Sequence, residues 1–119
     1  MKKIFFLLIA LCIQQNASAT KPLIVNYEEV VAKAKSELDS SMQSGALKEF
    51  GLKNEIKGKY VMDITIHEKG KVLTVFAVSN DSDNLKMQNK LKDFVRTLEF
   101  SFKLPAGKPY KFQYAFQFE

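Results

Sequence analysis

The feature that most constrains the fold is the alternation at the end of the chain. Tyr110, Phe112, Tyr114, Phe116 and Phe118 are aromatic, whereas Lys111, Gln113, Ala115, Gln117 and Glu119 between them are polar or small. Successive side chains of a strand point to opposite faces, so this period of two marks a strand with one buried aromatic face. The pattern also suits an outer-membrane barrel strand. Such barrels need at least eight strands, and this chain offers three.

The same period recurs upstream. Tyr60, Met62, Ile64 and Ile66 alternate with Val61, Asp63, Thr65 and His67, which predicts a first strand from about Gly58. Glu68-Lys69-Gly70-Lys71 then turns the chain, and Val72 to Ser79 returns as a second strand. This second strand is more continuously apolar. Val72, Thr74, Phe76 and Val78 are the favoured inner set, with Leu73 and Val75 competing, and partial cover of the second face by an N-terminal helix would explain the ambiguity.

Between these strands lies helical spacing. Asn80-Asp81-Ser82-Asp83 has the composition of a turn and helix cap, and a helix is expected from about Asp83 to Leu98 with Met87, Leu91, Phe94, Val95 and Leu98 along one stripe. The cap cluster is not a calcium loop, since it lacks the glycine turn and distant bidentate acid of one. Phe100 to Pro109 is a connection whose Pro and Gly residues exclude a helix, with Phe100 and Phe102 folding back onto the core edge.

The first half is read as lead-in and helix. Thr20 to Val25 is extended around Pro22, and Asn26-Tyr27-Glu28-Glu29 has the form of a capping box. The helix beyond it places Val30, Val31, Ala34, Leu38 and Met42 on one stripe and stops at Gly45. Ala46 to Leu52 adds a turn or two, with Leu47, Phe50 and Leu52 as anchors and Gly51 and Asn54 as breakers. A helix of this size covers the sheet or serves as a docking arm.

At 119 residues there is room for one domain. Residues 1–19 read as a secretory signal peptide: Lys2-Lys3, the apolar run Ile4 to Ile13, and the small-x-small motif Ala17-Ser18-Ala19. The apolar run is too short to cross a bilayer. Lipidation at Cys12 is the alternative to cleavage after Ala19, and its context disfavours it, because Leu11 precedes it and it lies inside the apolar run. Cleavage after Ala19 leaves 100 of the 119 residues, no cysteine, and 16 cations against 13 acids, or +3. The expected product is exported, periplasmic rather than extracellular, and held together by its core without disulfides.

The remaining lysines are scattered, which suits solvated faces and excludes a phosphate-tracking stripe, so no nucleic-acid partner is expected. Catalysis has little to stand on. His67 is the only histidine and reads as a solvated strand-end residue, no serine lies in a nucleophile-elbow pattern, and the five glycines are isolated. Met62 and Met87 are core fillers rather than soft metal ligands. No enzyme activity, cofactor or metal is expected.

Gly58-Lys59-Tyr60-Val61, the glycine hairpin at Lys69-Gly70-Lys71-Val72, Phe102-Lys103-Leu104-Pro105 and Lys108-Pro109-Tyr110 with its alternating tail resemble the C-terminal domain of TonB energy-transducer proteins, over roughly Leu47 to Glu119. The sequence departs from that family in lacking an uncleaved anchor and a long proline-rich linker, with only Pro22, Pro105 and Pro109 present; Lys53-Asn54-Glu55-Ile56 stands where a tyrosine-proline element is usual. A stand-alone exported TonB-like domain fits better than a force-transmitting one.

Spacing and resemblance together give an α+β domain: residues 20–57 as a helical segment, then 58–119 as a β-β-α-β unit whose three-stranded antiparallel sheet the resemblance implies in the order two-one-three. The resemblance further implies binding by strand addition, in which the last strand's free edge takes an extended segment of an outer-membrane receptor. The contacts implied are Lys111, Gln113, Ala115 and Gln117. Every sheet has edges, and lysine often guards them against aggregation. The alternative is a periplasmic or secreted inhibitor or ligand-binding domain of helix-on-sheet type, marked by aromatic residues on the sheet's free face. The sequence leaves oligomeric state open, a homodimer included.

Overall fold

The computed structural model describes residues 21–82 and 84–119. The signal segment 1–19, Cys12, the motif Ala17-Ser18-Ala19, Thr20 and Asp83 lie outside the described residues. The elements in order are α1 (Tyr27–Ser44), α2 (Ala46–Asn54), β1 (Gly58–Ile66), β2 (Val72–Asn80), α3 (Leu85–Val95) and β3 (Tyr110–Phe118). The fold is α+β, and its three strands form one antiparallel sheet in the order β2-β1-β3. Among the described residues no helix is long and apolar enough to cross a membrane.

Sequence chemistry sets most element ends. The Asn26 side chain accepts from the Glu29 N–H at 3.1 Å and starts α1. Tyr27 to Ser44 then bury Val30, Ala34 and Leu38, with Val31 and Met42 half-buried beside them. Gly45 N–H bonds the Ser41 carbonyl at 2.9 Å, and Ser41 Oγ accepts from Leu47 N–H at 3.0 Å, so one serine closes α1 and opens α2. Helix α2 runs through Gly51 rather than breaking there, and ends at Asn54, beyond which Glu55 turns left-handed at φ 52°. Gly51 is buried because Phe118 packs on it; a Cβ at that position would sit 2.7 Å from the ring. Leu52 is 71% exposed and is not an anchor. It lies five residues from Leu47, about 140° around the helix, and only its apolar character suggests burial.

The core lies on one side of the sheet. Tyr60, Met62, Ile64 and Ile66 from β1 and Phe112, Phe116 and Phe118 from β3 are buried, with Tyr110 and Tyr114 half-buried at the margin. Helices α1 and α3 cover this face, α1 against β3 and α3 against β2. Helix α3 spans Leu85–Val95, shorter than the stripe from about residue 83 to Leu98 suggests, with Leu91 and Val95 buried. Its cap is Asn84, whose side chain accepts from Met87 N–H at 3.0 Å. Phe50 of α2 stacks on Phe94 of α3 with ring centroids 4.5 Å apart. Phe100 and Phe102 fold back onto the core as expected, and Leu104 is buried with them.

The inner set of β2 differs from the favoured one. Val75 is buried and Val72 half-buried, whereas Phe76 is 58% exposed and Val78 49%. Thr74 stands opposite Thr65 and Phe76 opposite Asp63, both on the outer face. The cause is two irregularities in the β1–β2 ladder, which steps from Ser79 to Ala77 and from Thr74 to Val72. Each skipped residue reverses the parity of the positions beyond it, so no strict alternation survives in β2. The N-terminal helix does not cover the outer face; it shares the inner one with α3.

The hairpin tip is fixed by the same loop that leads into β3. Gly70 has φ 80°, a left-handed value that glycine adopts freely. A Cβ there would also lie 2.2 Å from the Phe102 carbonyl. The close approach allows Phe100 N–H to reach the Gly70 carbonyl at 2.8 Å and Leu104 N–H the Glu68 carbonyl at 2.8 Å.

Candidate functional site

Strand β3 pairs with β1 without interruption from Gly58↔Phe118 to Ile66↔Tyr110. Among the described residues its other side carries no strand, so β3 is an edge of the sheet. In an antiparallel strand both backbone groups of a residue point the same way, alternately toward and away from the neighbour. Tyr27 Oη donates to the Lys111 carbonyl at 2.6 Å from outside the sheet. The backbone groups of Gln113, Ala115 and Gln117 share that parity and face away from β1. Among the described residues, the Tyr27 bond is the only hydrogen bond onto the β3 backbone from beyond the sheet.

Residue spacing does not assign Tyr27 to this site. It stands at the first position of α1, inside the capping pattern, and nothing local shows that its ring reaches β3. The ring packs against Tyr110 at 5.8 Å between centroids, and Tyr110 Oη donates to the Val25 carbonyl at 2.6 Å. Two tyrosines thereby tie residues 25–27 across the start of β3. The lead-in continues the tie: Ile24 N–H bonds the Lys103 carbonyl at 3.0 Å, and Lys103 N–H the Pro22 carbonyl at 2.9 Å.

The four implied contact residues are brought together along one edge, but they differ in freedom. The Lys111 ammonium lies 3.8 Å from Asp63 Oδ2, and Gln113 Nε2 donates to Asp63 Oδ1 at 3.2 Å. Both side chains therefore lie across the outer face rather than out from the edge. Ala115 and Gln117 are exposed opposite Val61 and Lys59. Gln117 also borders a cavity of about 350 Å³ lined by Met42, Leu52, Ile56 and Phe118 at the far end of the strand.

On the inner side, Tyr114 Oη donates to Asp39 Oδ1 at 2.5 Å and ties α1 to β3. Burial of the ring and then the Asp39 carboxylate push the Tyr114 phenol well above its ordinary value. At the opposite end of the sheet Lys21 pairs with Glu99, and its hydrogen bond and charge hold the Glu99 carboxyl below the ordinary carboxylate range. His67 is half-buried just past β1, with Nδ1 accepting from Lys69 N–H at 3.1 Å. Among the described residues no three His, Cys, Asp or Glu side chains gather as metal ligands would. Comparisons with family models, with curated proteins and with solved structures find no match for this chain.

Proposed function

We propose that the protein is a non-enzymatic, exported protein-binding module that takes an extended segment of a partner as an added strand on β3, in the manner of the TonB C-terminal domains that its sequence resembles. What supports this reading is the unbroken β1–β3 register, which leaves the outward backbone groups of Gln113, Ala115 and Gln117 in one row with no protein partner among the described residues. Such a row supplies affinity through backbone bonds, while alternate side chains set register. Tyr27 occupies the Lys111 carbonyl, so the added strand starts beyond Lys111. The segment expected is from an outer-membrane receptor, and the place is the periplasm.

The test is an amide-shift titration with extended N-terminal peptides of outer-membrane receptors from the same genome. Shifts centred on Gln113 to Phe118, lost in Gln113→Pro, support strand addition. Tyr27→Phe, which removes one surface hydroxyl, keeps the test informative where the proline variant does not fold: it frees the Lys111 carbonyl and is expected to lengthen the shifted row toward Lys111. Silence of β3 at millimolar peptide overturns the reading for those receptors.

A second reading is favoured by the 58% exposure of Phe76 on the outer face, flanked by Leu73 and Val78. A helix-on-sheet inhibitor or ligand-binding domain would contact its target there. Shifts confined to Leu73, Phe76 and Val78 would select it over the edge.

A further inference from the structure

The lysines that look scattered in the sequence are gathered by the fold at one end of the sheet. Lys69 and Lys71 flank the hairpin glycine, and Lys108 comes from the loop before β3. Together with His67, Glu68, Leu73, Gly107 and Pro109 they line an open cavity of about 440 Å³. That volume is within the range of small-molecule sites.

Among the described residues the cations of this cavity form no ion pair and outnumber the acid in its lining. Among the described residues the ion pairs are Lys21–Glu99 and Lys111–Asp63, so Lys69, Lys71 and Lys108 have no carboxylate within pairing distance. Glu99, whose carboxylate feels the charge of Lys71, is held by Lys21. Within the lining itself three lysines face one acid, Glu68, for a net of two positive charges with His67 neutral. His67 Nδ1 accepts from Lys69 N–H, so in the neutral ring Nε2 carries the proton and is a further donor.

The hairpin wall is also held in place before any ligand arrives. Gly70 N–H bonds the His67 carbonyl at 2.9 Å, Leu104 N–H the Glu68 carbonyl at 2.8 Å, and Lys21 Nζ the Lys69 carbonyl at 3.1 Å. The hairpin tip is thus a braced wall of the cleft, and a braced wall loses less entropy on binding.

We propose that this cleft binds a phosphate monoester, its phosphoryl group among Lys69, Lys71 and Lys108 and its organic part on Leu73 and Pro109. A phosphate monoester carries about −1.5 to −2 charges at pH 7 and matches the net charge of the lining. A single carboxylate would leave one cation uncompensated, and the cavity exceeds what bare phosphate fills. Glu68 accepts from a hydroxyl of the organic part. The site uses residues separate from the outward row of β3, so it stands or falls independently of strand addition.

The test uses protein purified from expression of the whole chain, followed by amide shifts at low salt. The probes are inorganic phosphate, glycerol 3-phosphate, glycerol, and phosphatidylcholine vesicles with and without phosphatidic acid. Saturable shifts at His67 to Leu73 and Gly107 to Tyr110 with glycerol 3-phosphate, absent with glycerol and weaker with inorganic phosphate, are expected for a free ligand. The same response confined to phosphatidic acid vesicles also supports the site and identifies a lipid headgroup as the source. Lys71→Gln and Lys108→Gln are each expected to weaken binding about threefold, as exposed charge pairs do. Lys92→Gln on α3 should leave it unchanged. No saturation with any probe up to about 10 mM, a range that already covers very weak sites, overturns the proposal. So does a response that saturates at the same concentration in the Lys71→Gln/Lys108→Gln double variant as in the parent, or one that spreads equally over the lysines of α1 and α3.

Discussion

β2 and β3 flank the same central strand, yet they present themselves in opposite ways. Along β3 the pairing with β1 runs nine residues in register, and Phe112, Phe116 and Phe118 all turn inward. Along β2 the pairing slips twice, only Val75 is buried, and Leu73, Phe76 and Val78 stand in solvent. Apolar content does not account for the contrast, for β2 is the more continuously apolar strand. Register does: an unbroken ladder converts a period of two into one buried face, and each bulge reverses it.

The sharpest way to break this comparison is to remove one phenylalanine from each strand. Phe116 is fully buried and packs edge-on against Tyr114 with ring centroids 4.8 Å apart. Phe116→Ala should destabilise the protein by about 3–5 kcal/mol, since it removes a large side chain and leaves a cavity. Urea unfolding of the two proteins measures it. A loss below about 1 kcal/mol would mean that the aromatic face of β3 is not a packed core.

Tyr114 shows a finer difference within β3. Its ring is only half-buried, and its hydroxyl bonds Asp39 of α1. At neutral pH Tyr114→Phe should cost about 0.5–1.5 kcal/mol, the usual net worth of one hydrogen bond. The pH dependence tests the burial of the phenol together with its bond to Asp39. The Tyr114 phenol is raised in the folded state, so its contribution is fully present below the ordinary tyrosine value near 10 and is lost as pH rises from there toward the folded value. Between those limits the unfolded chain has released the proton and the folded one has not. Unfolding midpoints measured from pH 8 to 11 should therefore fall less steeply for Tyr114→Phe than for the parent. Equal slopes would remove the Tyr114–Asp39 contact as the link between α1 and the sheet.

The same physics decides how legible these features are in the sequence. The inner faces of β1 and β3 and the α1 stripe rest on strict periods, and each can be read from residue spacing, whereas the strand order is what the family resemblance implies. The bulges in β2 cannot, because an apolar run such as Val72 to Val78 offers no parity to contradict. Leu52 is misplaced when its apolar character is read without its angle around α2, while Gly51, expected as a breaker, is the residue that lets Phe118 approach. Of the implied contact row, alternation alone puts Lys111, Gln113, Ala115 and Gln117 on one face, and their place on an edge strand is what the resemblance implies. The capping of Lys111 by Tyr27 joins residues 84 positions apart, and local pattern carries no trace of it. The same holds for Lys108, which only the fold brings beside Lys69 and Lys71.

The smallest effect is expected at Phe76, and it is the most telling counterpart to Phe116. Phe76 stands opposite Asp63 on the outer face, in the row that Lys111 and Gln113 also reach. Its ring is 58% exposed, so Phe76→Ala should change stability by no more than about 0.5 kcal/mol in the same urea assay. A neutral result leaves a large aromatic in solvent without a stabilising role, which is the condition for a binding contact on that face. A loss of several kcal/mol would place Phe76 in a packed core, undo the parity reversal in β2, and remove the observation on which the second functional reading depends. Because the two substitutions differ chiefly in which strand bears the ring, their ratio measures what the two register slips do to an otherwise more apolar strand.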